Sequence, residues 1–284
     1  MKTFFIAAFQ LMRADRPVGT VLLACPMLWA LWLAGEGQPT ARITLIFLLG
    51  AFVMRSAGCV VNDFADRHID LKVKRTKDRP LTAGRIGIKG SIGVFVGLII
   101  CALMLLALLP GRAVLPAVLA FLLSCVYPFT KRFFVIPQLI LGLAFSMAVI
   151  MAYIVVIGTV PLSGWLVFWA STLWAVIYDT FYAMVDRDDD EYLGVHSSAL
   201  WFGSKDVFVN ALFAVVFMLL LVAVGLLEQL SQYYYLALVL SSLCFIYQFA
   251  IARTRQREAC FIAFLNNQWV GVIVFLGIVL SYLP

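Results

Sequence analysis

Charged residues are scarce in this chain: Asp, Glu, Lys and Arg make up 13% of its 284 residues, whereas 64% are hydrophobic. A soluble domain of this length has too little interior to bury so much apolar surface. Uncharged apolar runs close to the roughly 20 residues that span a bilayer recur along the chain. The shortage of charge therefore excludes an ordinary soluble protein and predicts a polytopic helical membrane protein.

Other features are absent altogether. The six cysteines lie in or beside apolar segments and show no C-x-x-C spacing, which argues against a disulfide framework and against a zinc site. The sequence contains no G-x-x-x-x-G-K-[ST] loop, so binding of a nucleoside triphosphate is not indicated. No linker or low-complexity stretch divides the chain, and we expect one domain over residues 1–284.

Apolar segments of membrane-spanning length occur nine times, and we predict an all-α bundle of nine transmembrane helices. The segments fall at residues 18–35, 43–62, 88–109, 113–128, 137–157, 163–184, 207–227, 233–252 and 261–283. Tryptophans near the predicted outer ends of these spans are expected to form an aromatic belt: Trp29, Trp32, Trp165 and Trp169.

Lysine and arginine lie almost entirely in the loops on one side of this predicted bundle. The opposite side carries only Arg42 and Arg112, so the positive-inside rule places the N-terminus in the cytoplasm and the C-terminus outside. We expect a cavity that opens to the cytoplasmic side. Because the net charge of +6 comes from these loops, anionic lipid headgroups and a phosphate-bearing substrate are better partners than nucleic acid.

A cluster of oxygen-bearing side chains marks the cytoplasmic end of the second span. At about 100° per helical residue, Asn62, Asp63, Asp66 and Asp70 share one face within about 100°. An apolar helix that ends with an amide and three carboxylates offers ligands to a hard cation. This pattern predicts a metal site formed by these residues.

A second acidic cluster follows the sixth span. Tyr178, Asp179, Tyr182, Asp186 and Asp190 share a face if the helix continues that far, whereas Asp188 points the other way. Two acid-rich helix ends on the same membrane side repel each other unless a counter-charge such as a metal ion lies between them. The ligand type favours Mg²⁺. Solvated helix caps are the alternative.

Several cations and amides complete the candidate site. Loop cations that could meet a phosphate include Lys72, Lys77, Lys131 and Arg132. Arg55 lies about two turns inside the second span, where it serves either a substrate or a structural ion pair with a nearby carboxylate. Asn266 in the last span either bonds one helix to another or lines the cavity.

These motifs resemble those of the membrane-embedded aromatic prenyltransferases over nearly the whole chain. The family's N-D-x-x-D-x-x-x-D motif stands as Asn62, Asp63, Asp66 and Asp70, its D-x-x-x-D motif as Asp186 and Asp190, and its Y-x-x-x-K loop as Tyr127 and Lys131. The words R-P-L-T-A-G from Arg79 and Y-P-F-T-K-R from Tyr127 are also similar to the family. His196 stands where the family leads us to expect lysine, which makes the charge of a diphosphate-binding position dependent on pH.

The resemblance implies an activity. Mg²⁺ would bridge the two motifs and bind a polyprenyl diphosphate, with Asp66, Asp70, Asp186 and Asp190 as the catalytic residues. The prenyl group would pass to the ring carbon ortho to the hydroxyl of 4-hydroxybenzoate, a step of ubiquinone synthesis in a bacterial inner membrane. Alternatives are a cation-coupled transporter, a lipid phosphotransferase and a prenyltransferase for another acceptor.

An acceptor that carries a carboxylate needs a cation of its own. Arg132 is the first choice because it follows Lys131 directly and its guanidinium pairs with carboxylates bidentately. Arg55, on the acidic face of the second span, is the second choice.

Overall fold

The computed structural model describes residues 2–71 and 76–283, except for the side chains of Lys2, Thr3, His68 and Ile69. In this part of the chain the secondary structure is entirely helical, which confirms the all-α prediction. The twelve α-helices within it are α1 (Lys2–Leu11), α2 (Val18–Ala34), α3 (Ala41–Ala65), α4 (Arg67–Asp70), α5 (Ile88–Ala107), α6 (Val114–Thr130), α7 (Pro137–Ile157), α8 (Leu162–Leu193), α9 (Ser198–Phe202), α10 (Asp206–Leu227), α11 (Gln232–Ala252) and α12 (Arg257–Ser281).

The prediction of nine spans is confirmed only in part. Every predicted segment forms a helix, but among the described residues seven helical stretches are both long and apolar enough to cross a bilayer. Helix α2 has 17 residues, about 26 Å of helix against the roughly 30 Å of a hydrocarbon core. Helix α8 has 32 residues and is long enough, but its tryptophans, tyrosines and acidic end make it less apolar than the other spans.

Helices α2 and α8 lie at the centre of the bundle. The indole rings of Trp29 on α2 and Trp174 on α8 stack at 5.4 Å between centroids, and Phe217 packs against both. Trp29 is fully buried and its Nε1 donates to the carbonyl of Gly271, 3.0 Å away. The belt prediction was therefore wrong for Trp29, whereas Trp165 and Trp169 are about half exposed, as a belt requires.

Buried amides tie the last two helices to this centre. Asn267 of α12 accepts a hydrogen bond from Trp174 Nε1 at 3.0 Å and donates to Gln248 of α11 at 3.1 Å. The neighbouring Asn266 accepts from Gln248 Nε2 at 2.9 Å. Of the two roles considered for Asn266, this placement favours the helix-to-helix bond over a place in the cavity wall.

Close packing at the centre of the bundle predicts that alanine will destabilise the protein at Gly271 but not at Gly97. A Cβ atom at Gly271 would stand 2.6 Å from Trp174 Cη2 and 2.8 Å from Cys25 Sγ, whereas one at Gly97 on α5 would meet nothing within 4 Å. Because overpacking a close-packed interior costs about 1–3 kcal/mol, we expect Gly271→Ala to lower the thermal midpoint in detergent clearly. Gly97→Ala should leave it unchanged or raise it slightly. Equal shifts for both variants would contradict the packing described here.

Candidate active site

The first acidic motif keeps its helical spacing across the end of α3. The backbone N–H of Asp66 donates to the Asn62 carbonyl at 2.9 Å, and that of Asp70 donates to the Asp66 carbonyl at 2.8 Å. The backbone bends at Asp66, between α3 and α4, but these two i, i+4 hydrogen bonds continue across the junction. Asn62, Asp66 and Asp70 follow one another at one-turn intervals, as predicted.

Basic side chains surround the buried carboxylates of this motif. Lys131 Nζ lies 3.3 Å from Asp66 Oδ2, and Arg79 Nη1 lies 2.7 Å from Asp70 Oδ2. Asp66 and Asp70 are each only 5% exposed. Burial raises the pKa of the Asp70 carboxyl above its usual value, and the Arg79 guanidinium opposes that effect. Each of these buried carboxylates is therefore paired with a basic side chain.

Asp63 occupies a different environment from Asp66 and Asp70. It is fully buried, and both of its oxygens accept from Arg13 Nη2, at 2.8 and 3.1 Å. Arg79 adds a third contact at 3.1 Å. The sequence predicts Asp63 as a metal ligand, but these ion pairs engage both oxygens. The placement favours a structural role in which Asp63 fastens the N-terminal segment to α3.

The second acidic motif lies on one uninterrupted helix. Helix α8 continues past Asp190 and ends where Gly194 adopts the left-handed conformation, with φ of 66°. Asp179, Asp186 and Asp190 are partly buried, and each has an interacting neighbour. The side chain of Asp188 is 78% exposed and pairs with Arg257 at 3.0 Å. The helical-face argument is therefore confirmed for Asp188, which points away from the site.

Lys131 stands between the two motifs. Burial lowers the pKa of its ammonium, but Tyr127 and the carboxylates of both motifs outweigh that effect and raise the pKa above its usual value. The contributing carboxylates are Asp66, Asp190 and Asp179. Lys131 is therefore a permanent cation that both motifs share.

Backbone and side-chain contacts hold the loop after α8 against the Lys131 loop. The N–H of His196 donates to the Lys131 carbonyl at 2.8 Å, while the His196 side chain is exposed.

A cluster of ion pairs surrounds Asp206. Arg187 donates to the fully buried Asp206, to which Arg255 also donates at 2.9 Å. Arg187 further donates to the Ala199 carbonyl. This cluster fixes the position of α8's acidic end relative to α10.

An apolar cavity of about 310 Å³ begins one turn from the acidic motif. Its polar end is formed by Arg55, Asn62, Ser124 and Tyr127, and its remaining walls come from apolar residues of α2, α3, α5, α6 and α7. On α3 the lining extends from Asn62 back to Ile46, about 24 Å of helix. The cavity is therefore long, and its mostly apolar lining suits an apolar chain.

The predicted cations divide between this cavity and the surface. Arg55 lines the cavity, with Tyr127, Tyr178 and Tyr182 as electrostatic neighbours. Arg132 is exposed, lies over the Phe129 ring and donates to the Ala65 carbonyl at 3.3 Å. Lys77 is also exposed. Lys72 lies outside the described residues.

The donor set fits a divalent cation shared with a substrate. No three His, Cys, Asp or Glu side chains of the described segments lie close enough to hold a metal by themselves. Mg²⁺ does not require such a cluster, because it is usually held by one or two carboxylates and by substrate phosphates. The buried Oδ1 of Asn62 has no hydrogen-bond partner among the described residues, and Asp66 and Asp70 already lie beside cations. Asp179 and Asp190 of the second motif are electrostatic neighbours of Lys131.

Two residues that the sequence analysis did not identify, Arg13 and Asp206, form ion pairs near the site. Arg13 has a left-handed backbone, with φ of 56°, just after α1, and contacts a residue 50 positions away. Its only sequence signal is its place among the cations that precede the first span on the cytoplasmic side.

The fold and site define a class: a helical membrane protein with paired acidic motifs and cations at the mouth of a long apolar cavity. Such a site suits an amphiphile with a phosphate-bearing head. Residues 23–279 match the sequence model of the UbiA prenyltransferase family. The chain belongs to this family, as its motifs had indicated.

Relatives support the assignment over nearly the full length. The chain is 49% identical over 273 residues to the 4-hydroxybenzoate octaprenyltransferase of Tolumonas auensis, covering 96% of each protein. It is 48% identical over 275 residues to the protein of the same name from Chromohalobacter salexigens, covering 97% of this chain and 92% of the relative.

Solved structures share the fold at lower identity. A UbiA homolog from Aeropyrum pernix K1 matches with a TM-score of 0.81 and 24% identity, covering 93% of this chain and 98% of that one. A UbiA homolog from Archaeoglobus fulgidus bound to GPP and Mg²⁺ matches with a TM-score of 0.68 and 16% identity, covering 96% and 99%.

The ion pairs of Asp63 give a prediction about stability. Arg13→Ala removes two hydrogen bonds from a fully buried carboxylate, and a poorly satisfied buried group costs about 1–3 kcal/mol. We therefore expect a lower midpoint of thermal unfolding in detergent. Arg16→Ala is the matched control, since the Arg16 side chain is 74% exposed and lies 3.7 Å from Asp15. Indistinguishable midpoints for the two variants would show that Arg13 does not hold Asp63.

Proposed function

We propose that the protein is a Mg²⁺-dependent prenyltransferase that moves a polyprenyl group from polyprenyl diphosphate to 4-hydroxybenzoate. The products are 3-polyprenyl-4-hydroxybenzoate and diphosphate, in ubiquinone biosynthesis. The observation that carries the proposal is the apolar cavity that begins directly behind the acidic, cation-bearing mouth. The names of relatives that share 49% and 48% identity supply the acceptor.

In this proposal the acidic mouth binds the diphosphate. Asp66, Asp70, Asp186 and Asp190 would hold Mg²⁺, with support from Asn62 and Asp179. When bound, the metal neutralises negative charge on the departing diphosphate. Lys131, already fixed between the motifs, adds a permanent positive charge at the same place. These charges stabilise the leaving group most as its bond to the prenyl carbon breaks.

The cavity accommodates the prenyl chain and protects the reaction. Its apolar walls exclude water, which would otherwise capture the allylic cation left by the departing diphosphate. The ring carbon ortho to the phenol attacks this cation and then loses its proton. Tyr127 lines the polar end of the cavity, where the two reactants would meet. Tyr178 and Tyr182 are electrostatic neighbours of the Arg55 guanidinium and would flank the aromatic ring of 4-hydroxybenzoate.

Arg55 is better placed than Arg132 to hold the acceptor's carboxylate. A carboxylate that leaves water requires a charged partner, because an unpaired buried charge costs several kcal/mol. Arg55 lines the cavity and lies on α3 about two helical turns before Asn62, whereas Lys131 and Arg79 pair with Asp66 and Asp70. Arg132 is exposed and packs on Phe129, so its charge lies in solvent or at the lipid headgroups.

We further propose that the protein lies in the bacterial inner membrane with its N-terminus and acidic mouth in the cytoplasm. The asymmetry of loop charge supports this orientation. We count α2 and α8 as spans, which gives nine, because both contribute many buried residues to the centre of the bundle and pack against the apolar helices around them.

A cation-coupled transporter is not supported. Transporter carboxylates usually lie near the bilayer midplane on broken helices. Here α3 is continuous to Ala65 and α8 is continuous to Leu193, and the acids lie at their ends. The curated relatives also carry enzyme names.

The metal requirement and the acidic motifs can be tested together. Membranes containing the protein, supplied with Mg²⁺, a polyprenyl diphosphate and a panel of aromatic acids, should yield prenylated 4-hydroxybenzoate and diphosphate by mass spectrometry. EDTA should abolish the product and excess Mg²⁺ should restore it. Asp66→Ala, Asp70→Ala, Asp186→Ala and Asp190→Ala should each lower kcat at least about 10²-fold, as loss of a charge-stabilising group does.

Asp188→Ala is the matched control, because Asp188 lies on the same helix end but faces outward. It should retain nearly full activity. A loss as large as that of Asp186→Ala would refute the assignment of the helical face. Release of a nucleoside monophosphate rather than diphosphate would indicate a lipid phosphotransferase.

The choice between the two arginines is testable by kinetics. Arg55→Gln should raise the KM for 4-hydroxybenzoate at least about tenfold, since a charge-assisted contact is worth roughly 1.5–3 kcal/mol. The KM for the prenyl diphosphate should change much less. Arg132→Gln should leave both constants within about threefold of wild type, because Arg132 is exposed and packs on Phe129 away from the cavity. The opposite pattern would return the acceptor's carboxylate to Arg132.

A further inference from the structure

Gly19, near the start of α2, lies unusually close to Arg55 of α3. A Cβ atom at position 19 would stand 2.6 Å from both Nε and Nη2 of Arg55 and 3.0 Å from its Cζ. The backbone of Gly19 is ordinary helix, which any residue can adopt. Glycine at this position is therefore explained by the close approach of the guanidinium, not by the conformation of the chain.

The other edge of the same guanidinium is held by Cys59. Arg55 Nη1 donates to Cys59 Sγ, 2.6 Å away and one helical turn further along α3. Cys59 is only 4% exposed and lies behind the cavity wall. The Nε of Arg55 has no hydrogen-bond partner among the residues described. One edge of the guanidinium is thus anchored, while the edge that faces Gly19 retains an unused donor.

We propose that Gly19 and Cys59 are positioning residues that together form a seat for Arg55 and so set the affinity for the acceptor. This inference rests on the proposed function, in which Arg55 binds the carboxylate of 4-hydroxybenzoate. The absent side chain at Gly19 leaves room for the Nε–Nη2 edge, and the Cys59 sulfur fixes the direction of the group. A guanidinium fork binds a carboxylate bidentately only when it is oriented correctly.

A side chain at position 19 would displace the Arg55 guanidinium without disturbing the helix. A methyl group there would overlap the far end of a flexible side chain, which can rotate away without disturbing the helices. Alanine also favours a helix more than glycine does. Gly19→Ala should therefore fold normally and displace the cation, so that its effect falls on binding of the acceptor.

Steady-state kinetics of the full-length protein in membranes test this seat. Gly19→Ala should raise the KM for 4-hydroxybenzoate at least about tenfold, or 1.4 kcal/mol, with kcat and the KM for polyprenyl diphosphate within about threefold of wild type. Gly93→Ala on α5 is the matched control, because a Cβ there meets nothing within 4 Å. Cys59→Ala should raise the same KM several-fold, whereas Cys59→Ser, which keeps an acceptor, should restore it.

A double-mutant cycle separates a seat from a general packing role. In the Arg55→Gln background, Gly19→Ala should add no further increase in the KM for 4-hydroxybenzoate, because the seat then has no guanidinium to hold. Equal increases in both backgrounds would overturn the inference, as would an unchanged KM for Gly19→Ala beside a raised KM for Arg55→Gln. In the latter case the proposed function stands. If the wild-type protein fails to prenylate 4-hydroxybenzoate, the proposed function and the seat fall together.

Discussion

The site depends on pairing buried carboxylates with cations at the end of an apolar helix. Asp66 and Asp70 are almost fully buried, and each has a basic partner within 3.3 Å. Removing either cation would leave a buried charge without compensation, which is costly. The carboxylates in turn fix Lys131 and Arg79 at the mouth, where a diphosphate and its metal would bind. Structural charge balance and substrate recognition therefore use the same groups.

The same constraint separates the two substrates. A diphosphate and a carboxylate repel each other, so a site that brings both to one reacting carbon needs two distinct positive regions. In the proposed mechanism Lys131, between the acidic motifs, would provide the first and Arg55, which lines the cavity, would provide the second. Asn62 lines the wall between them, one turn from Asp66. Each of the two anions would then have its own cation, one at the acidic motifs and one in the cavity wall.

Features that depend on one helix could be predicted from the sequence. The common face of Asn62, Asp66 and Asp70 and the outward direction of Asp188 follow from helical periodicity, and both agree with the structure. Features that depend on contacts between distant segments could not. The pairing of Asp63 with Arg13 joins residues 50 positions apart. Nor does hydropathy show that Trp29 packs at the centre rather than in the belt, since both places suit an indole.

One side of the cavity wall, formed by α5, packs only weakly against the rest of the protein. Helix α5 contributes Ile99, Leu103 and Leu106 to the cavity. Only 6% of the residues in its apolar stretch are buried within the protein, against 44% of those in α3. In water such a helix would be unstable, because its packing against the bundle is one-sided. A bilayer supplies the missing apolar contacts at no cost, since lipid tails are as apolar as leucine. The α5 side of the cavity wall therefore has few packing partners within the protein, whereas the acidic motif at the end of α3 is fixed by ion pairs within the protein.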